Sequence, residues 1–133
     1  MSRTSDASAS DERVHEQYVL DVSIIRTRPE GSEKPQYRFE APDHVPVTFS
    51  DPEMATLYAD VYFAVNGFVE EGTGTRGIPP EVVQAGKHAM AAYLVTQMSL
   101  FWVSSFYGTE PTRIERYIGQ VREQAASIRA QAG

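Results

Sequence analysis

No charged residue occurs between Ala89 and Tyr107. A helix that is apolar all round must be enclosed by a large core, by a bilayer or by another protein. Pro79-Pro80 suits a helix start and Gly108 suits a helix end. The pattern therefore predicts one helix over 80–107, roughly 40 Å long at about 1.5 Å per residue. The whole chain has 133 residues, and a globule of that size has a radius of gyration of about 14 Å. Such a helix would cross its full width and keep apolar surface uncovered. Thr96, Gln97, Ser99, Ser104 and Ser105 lie within the run. No basic cluster adjoins it, which argues against a membrane span. Another protein surface is the remaining cover.

The flanking segments supply little with which to wrap that helix. Residues 1–16 are polar and Ser/Ala/Asp-rich at their start, with no apolar run after Ser2–Arg13. They read as a flexible arm, not a secretory leader. The domain is then 17–133. Gln17–Arg28 alternates as a strand, with Tyr18, Leu20, Val22 and Ile24 on one face and Asp21 mid-strand. A turn-rich Pro29–Pro35 follows. Gln36–Ala41 alternates again, with Tyr37 and Phe39 inward, so the two runs form a hairpin. Val45, Val47 and Phe49 add an edge strand, the one place where Pro46 is tolerated.

Three helices complete the reading. Ser50-Asp51-Pro52-Glu53 has the pattern of a capping box with Ser50 as the cap. Met54, Tyr58, Val61, Tyr62, Val65, Phe68 and Val69 then share one stripe. Asp60 and Phe63 lie off that stripe, and either Asn66-Gly67 or Gly72 ends the helix. The long apolar helix comes second. Thr112 and Glu115 open a third, with a stripe of Ile114, Tyr117, Ile118, Val121, Ala125 and Ile128. The fold class is α+β: an N-terminal β-hairpin, extended to three short antiparallel strands if the edge strand forms, then three α-helices with the central one long and apolar.

The residues exclude more chemistry than they suggest. There is no cysteine, so thiolate catalysis and cysteine-ligated metals are out. Gly72–Gly77 matches G-x-G-x-x-G in letters, but a helix precedes it and Pro79-Pro80 remove amides that a pyrophosphate needs. It reads as a helix–helix loop. His15, His44 and His88 have no metal-ligand spacing. Glu70-Glu71 diverge, and Ser104 and Ser105 form no nucleophile elbow. No catalytic, cofactor or metal residue is assigned. The net charge of −6 opposes a nucleic-acid partner. Arg26, Arg28, Lys34 and Arg38 on the hairpin are interleaved with Glu30, Glu33 and Glu40.

The leading expectation is a non-catalytic assembly or interaction subunit, homo-oligomeric or a small part of a larger complex. An accessory subunit or a virion-like particle protein fits, in the cytoplasm or in a particle assembled inside the cell. Its interface would use Phe63, Trp102, Phe106 and Tyr107, since aromatic side chains anchor interfaces. The alternative is a small-molecule-binding domain or enzyme, with a pocket between sheet and central helix lined by Tyr58, Tyr62, Tyr93 and Gln97. In that case Asp21, Gln97 or His88 should converge on one cavity. A third reading, a DNA-binding regulator, requires a continuous basic face.

Overall fold

The structure is a computed structural model and describes residues 12–68 and 78–132. Four strands come first: β1 (Arg13–Gln17), β2 (Ser23–Thr27), β3 (Gln36–Glu40) and β4 (Val47–Phe49). Five helices follow: α1 (Pro52–Ala64), α2 (Pro80–Ala85), α3 (Lys87–Gln97), α4 (Leu100–Tyr107) and α5 (Pro111–Ala132). The strands form an antiparallel meander in the order β1-β2-β3-β4. The fold is α+β, as the sequence pattern implies.

The expected hairpin is β2 and β3, with Ile24 opposite Phe39 and Ser23 opposite Glu40. Both Ile24 and Phe39 are fully buried, because cross-strand neighbours on one face share the core. The edge strand is β4. The expected strand Gln17–Arg28 is instead divided. The chain reverses at Leu20 and Asp21, which have φ of 61° and 60°. Val22 N–H donates to Val19 O, and Tyr18 N–H donates to Val22 O at 2.8 Å. Two left-handed central residues make the tight turn that suits strand twist. Asp21 is consequently exposed at a turn, not mid-strand.

The boundary placed at residue 16 falls inside β1. This strand is exposed along its length and carries little apolar alternation. Its pairing with β2, irregular between Val14 and Glu16, holds it in the sheet. The rest of the proposed arm, 1–11, and the Gly72–Gly77 loop lie outside the described residues.

α1 is the enclosed helix of the fold. It packs against α5, α3, β3 and β4, and Ala55, Leu57, Tyr58, Ala59, Asp60, Val61, Phe63 and Ala64 are all buried. Its N-cap is Asp51, not Ser50: the Asp51 carboxylate accepts from Glu53 N–H at 2.9 Å. α1 ends at Asn66-Gly67, where φ is 61° and 92°. Gly67 N–H donates to Tyr62 O at 2.7 Å.

The single long helix over 80–107 is three helices, so the central apolar helix must be corrected. Gly86 separates α2 from α3 with φ 108° and ψ −175°, a backbone region essentially restricted to glycine. Ser99 separates α3 from α4. It is extended, and its hydroxyl accepts from Trp102 N–H at 3.0 Å, the ordinary preference of serine for an N-cap. The breaks let the uncharged run fold back on the body. α3 buries Ala89, Ala91, Ala92, Tyr93 and Val95. α4 buries only Val103 and Ser104 and closes on Gly108 at φ 64°. Among the described residues, no helix is long and apolar enough to cross a membrane.

α5 begins at Pro111, so Thr112 lies inside the helix rather than capping it. Its stripe is as the spacing implies: Ile114, Tyr117, Val121 and Ala125 are buried.

Candidate functional site

The residues proposed to line a pocket are placed mostly in packed core. Tyr58 is fully buried and Tyr93 nearly so. Ring centroids of Tyr58 lie 5.0 Å from Phe39, 5.3 Å from Phe49 and 5.5 Å from Phe68. Tyr93 is 6.2 Å from Tyr58 and 6.1 Å from Phe68. These are ordinary aromatic packing distances, so among the described residues these rings pack on one another between sheet and helices. Tyr62 is half-buried beside Phe39 and Phe68. Gln97 is exposed at the end of α3. Asp21 is exposed at the β1–β2 turn, away from any strand interior. His88 stacks on Tyr117 at 4.4 Å.

His44 is buried in this cluster. Its Nδ1 lies 2.7 Å from Val45 O. A carbonyl oxygen can only accept, so Nδ1 carries the proton. Its Nε2 lies 3.2 Å from the Tyr58 hydroxyl, within hydrogen-bond distance. The imidazole thereby ties the loop before β4 to α1. The signal missed in the sequence is the position of His44 between Phe39 and Phe49, two inward aromatics.

Two of the four proposed interface residues lie together on the surface. Trp102 is 42% exposed and Phe106 58% exposed, and their rings stack at 5.3 Å with planes 10° apart. Tyr107 is half-buried, with its ring 5.3 Å from Phe106. Its hydroxyl is buried without a partner, and burial pushes the phenol pKa up, helped by Tyr117. Phe63 belongs elsewhere. It is 2% exposed and packs against Tyr18 at 5.6 Å. The reason is α5, which covers the side of α1 that the stripe left open. Phe101 is 74% exposed. The break at Ser99 rotates α4 out of phase with α3, which carries Phe101 outward.

Phe101, Trp102, Ser105 and Phe106 thus form the outer face of α4. Aromatic side chains bury 150–250 Å² each, so the three rings present on the order of 350 Å². Patches of that size are often functional on a monomer. Met98, half exposed, continues the face towards a cleft of about 410 Å³. The cleft lies between the β4–α1 junction and the α3–α4 junction, with Thr48, Ser50, Met54, Val95, Met98 and Leu100 among its lining residues. None of Tyr58, Tyr62, Tyr93 and Gln97 lines it.

Several charged groups are engaged in structural pairs. Asp60 is only 5% exposed and is bound by Arg122 at 2.6 Å and Arg129 at 2.7 Å. On the hairpin, Arg38 pairs with Glu12 and Glu40. Among the described residues, no three His, Asp or Glu side chains are grouped so as to hold a metal. No protein-family model, curated protein or solved structure matches the chain.

Proposed function

We propose that the protein is an assembly or interaction subunit and that the outer face of α4 is its contact surface. The observation that carries this reading is the stacked, exposed Trp102–Phe106 pair beside Phe101, on a helix without a charged residue. Leaving such rings in water forgoes apolar burial worth about 25 cal/mol per Å². Burying them against a partner recovers it. Interface centres are depleted in charge and enriched in aromatics, and α4 has that composition. Among the described residues, Tyr58 is packed against the rings of Phe39, Phe49, Phe68 and Tyr93, which favours a contact role over an aromatic ligand pocket.

The test is the mass of the chain in its native extract and after purification. The wild type should travel in a species heavier than one chain. Phe106→Glu should travel lighter, with its helical circular dichroism unchanged because Phe106 is exposed. A wild-type chain found only at single-chain mass in both settings would falsify the assignment.

A further inference from the structure

Resting on the reading of α4 as a contact surface, we infer that its occupant is a second copy of this chain, with Phe101 of each copy seated in the other's cleft beneath Met98 and Leu100. A two-fold contact uses one surface twice, so that surface must be complementary to itself. Here the projecting ring and the recess stand side by side. Phe101 is the most exposed large apolar side chain among the described residues. Its chain neighbour Leu100 lines the cleft, whereas Phe101 does not. The contact inferred here places its two-fold axis near the start of α4, where the exposed Phe101 adjoins the cleft-lining Leu100 in the chain. The cleft of about 410 Å³ is ample for one phenyl ring, since recesses of about 300–1,000 Å³ hold whole small-molecule ligands. Met54, Val95, Met98 and Leu100 give that ring apolar walls.

Charge at this face permits the same occupant. Each chain carries a net −6, so two copies repel over most of their surface. From Ala89 to Thr109 there is no charge, and this face is where two acidic copies meet with least repulsion. Asp51 at the cleft is held by Glu53 N–H as the cap of α1. The aromatic patch of roughly 350 Å² per copy supplies the apolar centre of an interface that in standard cases covers about 800 Å² per partner. A membrane surface would use the patch but give no role to the recess beside it.

The experiment is analytical ultracentrifugation of the full chain over a wide concentration range. The wild type should approach twice the 14.8 kDa of one chain. Phe101→Ala removes the projecting ring. Thr48→Trp fills the recess from an exposed strand position where an aromatic is well tolerated. Each should raise the dimer dissociation constant at least about 30-fold, the loss expected of a central anchor. Mixed together, the two variants should associate more tightly than either does alone, because the mixed dimer retains one intact ring-in-cleft contact. A wild type that is monomeric up to about 1 mM, the weak end of the affinity scale, overturns the inference. So does Thr48→Trp dimerising like the wild type, or mixing without gain. The contact surface itself stands or falls separately, on whether Phe106→Glu releases the chain from a heavier native species.

Discussion

Arg129 near the end of α5 donates a hydrogen bond of 2.7 Å to Asp60 in the middle of α1. The same guanidinium lies 5.0 Å from the Tyr18 ring and 5.1 Å from the Phe63 ring. Arg122, two turns earlier, reaches the other oxygen of Asp60 at 2.6 Å. One buried carboxylate thus clasps the longest helix to the most enclosed one, and the aromatic pair packs over the junction.

Removing one partner of a buried ion pair costs about 3–5 kcal/mol when the other charge is left stranded. The arginines here retain side-chain exposure of 35% and 23% and can turn to water. Asp60→Ala should therefore cost about 2–4 kcal/mol, read from urea denaturation. A loss below about 0.5 kcal/mol would make the cluster no better than a surface bridge.

Tyr18 is a phenol displaced well above its usual range. Burial pushes it up, the Asp60 and Glu16 charges add to that, and Arg129 and Arg122 oppose it, giving a value of about 12 against an ordinary 10.0. An acid whose folded pKa lies above its unfolded one favours the neutral folded form. That contribution is complete below pH 10 and is lost as pH climbs from about 10 to about 12. The melting temperature should fall across that window, and Tyr18→Phe should flatten the fall. An unchanged alkaline profile in the variant would remove Tyr18 from the account.

The start of α1 separates two serine/aspartate candidates. Asp51→Ala should cost about 1 kcal/mol, the usual loss for an N-cap. Ser50→Ala should change stability by only a few tenths, since Ser50 is exposed and Asp51 makes the cap bond. Equal effects in thermal denaturation would show that the cap is shared.

Leu20 is a leucine held at φ 61° with its side chain 62% exposed. A left-handed L-residue costs roughly 1–2 kcal/mol, and asparagine tolerates this conformation better. Leu20→Asn should stabilise the protein by about 0.5–1 kcal/mol. A destabilised variant would mean that Leu20 has a packing contact that outweighs the turn.

How much was legible follows from which interactions are local. The β2–β3 hairpin, the stripe of α5, the Asn66-Gly67 stop and the Gly108 stop rest on alternation, helical period and turn chemistry, and all can be read from neighbouring residues. The β1–β2 turn was hidden because Leu20-Asp21 lacks the Asn-Gly signature of its conformation. The cap of α1 was misplaced by one residue because Ser50 and Asp51 are both good caps and only geometry chooses. At the candidate surface, Trp102 and Phe106 were legible as aromatics in surplus. Phe101 was not, because a break at Ser99 changes the phase of everything after it.

The sequence by itself determined the fold class, the uncharged surplus at Ala89–Tyr107 and the absence of cysteine chemistry. Those follow from composition and from periods of two and 3.6 residues, which act within a few residues of each other. Only the tertiary structure decided which helix is enclosed and which rings remain outside. α5 closes over Phe63 and Asp60 from more than sixty residues away, and Gly86 and Ser99 break the helix expected over 80–107 so that α3 can bury while α4 stays open. Burial depends on what packs against a face, and that information is distributed over the whole chain.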